Sequence, residues 1–540
     1  MLSHAPRGNK LPSFASCELP LLSAELPANS VYHGPRSRYT ARMTLITLET
    51  VRSFLSCPRA YAAGREENGL QRQFRDRCRS VLLSVLKSAE AAAGDAAPTG
   101  DSAEAPQSAA ALLPHGAIAL RYDVWYRSGD LAARADIVAD FGGGKNVLAL
   151  VRAGTGSRRS HLLEAAYIRH VAALCGEVFT SVLLYHPEKG YTRDERSDGK
   201  QLFARLDISA AVERLGTEVD RAVQRLRQLQ RGELESAAPE LRACGRTQVC
   251  SYCRSVLPEF NEDDPRTLFH GRQRGAELVK EGVVSLLKLP PSVKLSGKQR
   301  IQVEAVRERQ RHIDRPALQH FLTRLEYPLH FLDFEAFSVP LPPWPGTRVW
   351  EHIPFLYTVQ TVPFAGSAPV ERHYCADASV DYRGRLVERL ADDIASEGSV
   401  VVYGRDLESR MLRRLADWVS HGAQAMLAIR RRLVDLAEPF QQFWLYDYRQ
   451  RGNLSLKTLL PLLTGIDYRN LEIRNGRQAN VLFADAVLSK SDVSTEQRRA
   501  LVAYCSRDTT GMVELAETLS RLCHEDSGGD AVTGWLPGSR

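Results

Sequence analysis

The chain has 540 residues, 44% of them hydrophobic and 25% charged, with a formal net charge of +7. That length supports roughly two or three domains with full cores, and the composition is ordinary for a soluble globular protein. It excludes membrane-spanning helices, because no apolar run approaches the roughly 18–20 residues that a bilayer requires. The opening MLSHAPRGNKLPSF lacks the charged-then-apolar order of a secretory signal, so a cytoplasmic protein is expected. The mild positive excess admits a polyanionic partner without requiring one. In a reducing compartment the ten cysteines are expected as free thiols or metal ligands.

Residues 1–42 are rich in Pro, Ser and Arg, carry no sustained periodicity and are expected to be disordered. MTLITLETVRSFLSCPRAY, from Met43, is the first stretch with helical spacing, so the working protein is expected to start there. Residues 88–116, SAEAAAGDAAPTGDSAEAPQSAAALLPHG, read as a flexible insertion. AIALRYDVWYR, ARADIVADF and NVLALVRAG predict three strands, HLLEAAYIRHVAALCG a helix, and VFTSVLLYH a fourth strand. A long polar helix is expected over 211–242, completing a domain over 43–258. A helical connector over 259–325 follows, then an α/β domain over 326–523 and a flexible tail over 524–540. Arg430, Arg431 and Arg432, in AIRRRLVD, read as a solvated helix face or a nucleic-acid contact.

LHFLDFEAFS, residues 329–338, sets two acids inside an apolar, aromatic run. Side chains alternate faces along a strand, so Asp333 and Glu335 share one face while Leu332, Phe334 and Ala336 pack on the other. Adjacent carboxylates repel unless a cation sits between them, and hard Mg2+ or Mn2+ takes oxygen ligands. The competing reading is an exposed edge strand with solvated acids. GSVVVYGRDLESRMLRRLADW reads as strand, Gly turn and amphipathic helix, with Asp406 and Glu408 at the junction. QRRALVAYCSRDTTGMVELAETL is a long helix on which Tyr504 and Asp508 share a face. Cys505, Met512 and Leu515 lie near that face, so Asp508 is expected to point inward, where a carboxylate needs a partner.

Asp333-x-Glu335, an acid at a strand–helix junction and Tyr504-x-x-x-Asp508 together resemble the DEDD (DnaQ-like, ribonuclease-H-type) exonucleases, tyrosine subtype. Over residues 323–521, YPLHFLDFEAF, IPFLYTVQ, LVDLAEPF, GNLSLKTLLPLL, YRNLEIRNGRQA and LVAYCSRDTTGMVEL are similar to the C-terminal module of an uncharacterised bacterial family. That family is a domain of unknown function with predicted nuclease character. The resemblance implies a ribonuclease-H-like α/β domain with a mixed sheet. It implies a 3′→5′ exonuclease acting on DNA or RNA, chiefly at single-stranded ends. It also implies two Mg2+ or Mn2+ ions, with Asp333 bridging both, Glu335 and Asp508 completing the first ion's shell, and Tyr504 orienting the attacking water. Two such ions about 3.5–4 Å apart activate water, polarise the phosphodiester and stabilise the leaving oxygen. The third acid is Glu408 by spacing, with Asp406 the alternative, since the family's Asn-containing turn is here YGRDLE. Asp435 is a further acid near the site in related modules, or a cap or surface acid. Lys457 is a phosphate contact or a solvated lysine, and Ser455 a helix cap. A non-catalytic nucleic-acid-binding scaffold and a small-oligonucleotide phosphodiesterase are the alternative functions.

Cys57, in SFLSCPRAY, with Cys244, Cys250 and Cys253, in CGRTQVCSYC, resembles the clasp of iron–sulfur PD-(D/E)XK nucleases. There four thiolates hold a 4Fe–4S cluster; tetrahedral Zn2+ is the alternative. Related clasps place the short C-x-x-C before the longer gap, and here the longer gap comes first. Cys17, Cys78, Cys175, Cys375, Cys505 and Cys523 read as ordinary thiols. Between the clasp halves, ARADIVAD resembles the strand bearing that family's first metal-binding acid, here Asp136. The next strand should carry Glu-x-Lys, and this chain has Leu150-Val151-Arg152, with Ile168 near the position of a helix Gln. Leu150 has no oxygen to give a metal, and Arg152 cannot act as a base at neutral pH. A restriction-endonuclease-like α/β domain with a degenerate site is therefore expected. Its remaining task would be binding nucleic acid or a partner, with Arg152 contacting phosphate.

Overall fold

A computed structural model describes residues 45–48, 51, 74–82, 117–195, 200–231, 233 and 260–524. The chain divides between Arg42 and Met43, and every described residue belongs to the second part. The clasp cysteines Cys57, Cys244, Cys250 and Cys253, the insertion 88–116 and residues 1–42 and 525–540 lie outside the described residues.

Six strands build the first sheet: β1 (Ile46–Thr47), β2 (Ala119–Ser128), β3 (Leu131–Asp140), β4 (Asn146–Val151), β5 (Phe179–Pro187) and β6 (Phe203–Asp207). Their order is β1-β3-β4-β5-β6, with β2 paired to β3. β4 and β5 run parallel, joined through helix α1 (Arg159–Leu174), and the β3–β4 and β5–β6 pairs are antiparallel. β3 and β4 are apolar on both faces because they are covered on both. α1 lays Leu163, Ala166, Tyr167 and Val171 on one of those faces, and α2 (Gly216–Gln230) packs against α1. β2 alternates exposed and covered residues, as a strand with one wet face does.

The expected connector is helical at Arg272–Lys280, Gly297–Glu308 and Arg315–Leu322, and it packs into the second half. Leu318, Phe321 and Leu322 are buried in the same core as the second sheet. Its short strand β7 (His312–Ile313) pairs antiparallel with β13 (Leu445–Tyr446).

The second sheet has the order β10-β9-β8-β11-β12. Its strands are β8 (Leu329–Phe337), β9 (Ile353–Val362), β10 (Val370–Cys375), β11 (Val400–Val402) and β12 (Leu433–Asp435). β8–β9 and β9–β10 are antiparallel, whereas β8–β11 and β11–β12 are parallel. β8 is thus the central strand, which overturns the edge-strand reading of its two acids. Helices α5 (Gly476–Ser489) and α6 (Thr495–His524) pack against it.

The two halves meet at the loop after β8. Trp350 Nε1 donates to Ala153 O (2.7 Å), just past the end of β4, and its ring meets Phe74 edge-on at 5.3 Å. Gly346 N donates to Arg193 O (2.7 Å) and Arg193 N to Thr347 O (3.0 Å). Of the three consecutive arginines, Arg431 is exposed. Arg430 donates to Ser409 Oγ (2.9 Å) and Arg432 to Ala395 O (2.8 Å), so that face is only partly solvated. No described helix is long and apolar enough to cross a membrane.

Candidate metal centre

Strand alternation delivers Asp333 and Glu335 to the face of β8 that α6 covers, and helical spacing delivers Tyr504 and Asp508 from α6. One oxygen from each of Asp333, Glu335 and Asp508 lies within 4.8 Å of the others. Glu335 and Asp508 are buried, and Asp333 is partly exposed. Glu408 comes from α3 (Arg405–Trp418), which starts after a tight turn at Gly404 (φ +99°), a left-handed conformation that suits glycine. Asp435 staples that turn: its Oδ1 accepts from Gly404 N and Ala437 N, both at 2.9 Å. Its Oδ1 thus holds backbone, and its charge also raises Glu408.

Burial separates the two candidates for the third acid. Asp406 is exposed, whereas Glu408 is 4% exposed and its Oε2 has no hydrogen-bond partner among the described residues. Glu408 stands outside the close triplet, yet its charge helps to push Asp333 up.

Desolvation raises Asp333 well above the usual carboxylate range, and the charges of Asp508, Glu335 and Glu408 raise it further. Burial and the neighbouring Asp508 push Glu335 up to about 8, against the pull of Lys457. Burial takes Asp508 to about 6, moderated by a hydrogen bond from Tyr468 and by Lys457. Glu408 reaches about 8, chiefly through burial. Hard oxygen donors, mutual repulsion and an orphaned buried carboxylate oxygen fit a divalent cation.

Orienting groups surround the triplet. The Cys505 thiol donates to Asp333 Oδ2 (3.3 Å) and accepts from Thr358 Oγ1 (3.3 Å). Tyr468 donates to Asp508 Oδ1. Lys457 Nζ donates to Tyr504 Oη and stands 4.4 Å from the centre of the Tyr504 ring and 5.1 Å from that of Tyr468. A Cβ on Gly476, the first residue of α5, would lie 3.5 Å from Glu335 Oε2, so the helix start sits directly against that oxygen. Ser455 occupies an N-cap position, but its hydroxyl pairs with Thr458 Oγ1 (3.0 Å) rather than with a helix N–H. Sequence reasoning placed Cys505 near this face but read it as an ordinary thiol, and it missed Tyr468. Tyr468 opens the quoted YRNLEIRNGRQA stretch, yet no local spacing shows that this loop closes on Asp508.

The first half holds a second acidic cluster of another kind. Arg152 Nη1 donates to Asp136 Oδ2 (2.6 Å) and its Nε to Glu164 Oε2 (2.9 Å), with all three residues buried. Val151 N also donates to Asp136 Oδ2 (3.0 Å). Burial alone would raise Asp136, but the Arg152 charge and these hydrogen bonds outweigh it and hold the carboxyl below its usual range. The expected phosphate contact at Arg152 is corrected: its guanidinium is enclosed and committed to two internal carboxylates. Glu164 and Ile168 lie one turn apart on the same face of α1, and no local spacing shows that Glu164 meets Arg152 on another element.

No curated protein and no solved structure matches the chain. Over residues 330–455, which include Asp333, Glu335, Glu408 and Asp435 and end before Tyr504 and Asp508, it is similar to the family described as Domain of unknown function (DUF2779).

Proposed function

We propose that residues 326–523 form a DEDD-type, ribonuclease-H-like nuclease domain that hydrolyses nucleic-acid phosphodiester bonds, removing nucleotides from 3′ ends. The observation that carries this reading is the convergence of Asp333, Glu335 and Asp508 within 4.8 Å, beside a buried Glu408 with an unpartnered oxygen. The sheet order, with two antiparallel strands on one side of β8 and two parallel strands on the other, supports the ribonuclease-H-like assignment.

Asp333, Glu335, Glu408 and Asp508 would hold Mg2+ or Mn2+. Such ions supply Lewis acidity toward the phosphodiester and neutralise its developing charge. Lys457 donates to Tyr504 Oη, which leaves the phenol hydrogen free to orient a water. The Lys457 ammonium, set between two aromatic rings, offsets the carboxylates and binds a phosphate oxygen. The first half, with its acids already neutralised by Arg152, presents nucleic acid or a partner. Its clasp, Cys57, Cys244, Cys250 and Cys253, would take a 4Fe–4S cluster or Zn2+, which visible absorbance tells apart.

The test uses end-labelled single- and double-stranded DNA and RNA with Mg2+, Mn2+ or chelator, beside Asp333→Ala and Asp508→Ala. Metal-dependent shortening by the wild type is expected. Both variants should lose more than about 100-fold, beyond the usual cost of removing a supporting contact. Equal inactivity of all three proteins on every substrate overturns the reading.

A further inference from the structure

Tyr468 lies in the loop between α4 (Leu456–Leu463) and α5, and it is 8% exposed. Its hydroxyl donates to Asp508 Oδ1, reaching across 40 residues of sequence. The loop is latched to α6 beside that contact. Arg507, the neighbour of Asp508, donates Nη1–H to Asp467 O (3.2 Å), the carbonyl just before Tyr468. Lys457 Nζ stands over the Tyr468 ring, and the Tyr504 ring centre lies 6.2 Å from it.

A carboxylate can offer a cation either oxygen or both. With Oδ1 engaged by Tyr468, Asp508 Oδ2 accepts no hydrogen bond among the described residues. We infer that Tyr468 is a positioning residue that fixes Asp508 as a single-oxygen ligand of a divalent cation shared with Asp333 and Glu335. The inference rests on the metal-centre reading above. It adds a second phenol with a task distinct from that of Tyr504: Tyr504 serves the water, and Tyr468 serves the ligand. Partners that orient a metal ligand typically carry about 10–100-fold in metal affinity.

The experiment measures free Mn2+ by electron paramagnetic resonance in titrations of the full chain, with no substrate present. Tyr468→Phe keeps the ring and its packing and removes only the hydroxyl. Its Mn2+ dissociation constant should rise by about tenfold, while the metal-free melting midpoint stays within about 2 °C of wild type. In an Asp508→Asn background the same change should weaken binding no further, because its effect passes through Asp508. Binding by Tyr468→Phe within about twofold of wild type overturns the inference. So does an equal loss in the Asp508→Asn background, whatever happens to the melting midpoint. A wild-type chain that binds no Mn2+ is a different result, and it sinks the metal-centre reading itself.

Discussion

Each half of the chain buries acids at a central strand, and the two sets are neutralised in opposite ways. Between β3, β4 and α1, Asp136 and Glu164 share one enclosed guanidinium, and Asp136 is held below its usual range. Between β8, α3 and α6, Lys457 pulls on Glu335 and Asp508 and Arg410 on Glu408, yet Asp333, Glu335, Glu408 and Asp508 are all pushed up. Burial of a carboxylate is common to both, so burial alone does not mark a reactive site. The balance of counter-charge is what differs between the two clusters. The first cluster is neutralised within the protein, whereas in the second the neighbouring cations do not fully offset the carboxylates, and under the reading proposed above divalent cations would complete it.

The sharpest way to break this comparison is to remove the internal cation. Arg152→Met leaves Asp136 and Glu164 buried without a counter-charge, which should cost about 3–5 kcal/mol in denaturant unfolding. Removing all three charges together, with Asp136→Asn and Glu164→Gln added, should recover most of that loss. Undiminished stability of the single variant would show that the triad is not a closed unit.

Acidity offers a second, smaller contrast. Glu335 and Glu408 titrate near 8 in the fold, against about 4.3 for an unperturbed glutamate. The folded state therefore holds their protons more tightly than the unfolded chain. The stabilisation from this source is full below the unfolded value and is lost as pH rises through about 8. The chelator-treated protein should lose on the order of 5 °C in melting midpoint between about pH 6 and 9, and Mn2+ should restore it. Asp136, held low, adds nothing in that window. A midpoint that rises over the same range would contradict an uncompensated second cluster.

The smallest effect separates the two candidates for the third acid. Glu408→Gln removes a buried charge and should raise the metal-free midpoint by about 2 °C near pH 8.5 while abolishing metal-dependent turnover. Asp406→Asn, at an exposed position, should change neither. The reverse pattern would move the site to Asp406.

Much of the local structure could be read before any fold was known. Period-two alternation put Asp333 and Glu335 on one face of β8, and a four-residue spacing put Tyr504 beside Asp508 on α6. The strand–Gly–helix order around YGRDLE located α3, though not which of its acids turns inward. What stayed hidden depends on residues far apart in the chain. Glu164 reaches Arg152 from another element, the loop holding Tyr468 folds back over Asp508, and Cys505 meets Asp333 across 172 residues.

The sequence by itself determined which residues form strands and helices and which faces carry acids, because periodicity is a relation among near neighbours. Only the tertiary structure decided that β8 is central and that Arg152 is enclosed by carboxylates. It also decided that Asp333, Glu335 and Asp508 meet. The reason is that neutralisation is set by distance in space, and packing alone brings distant charges within reach of one another.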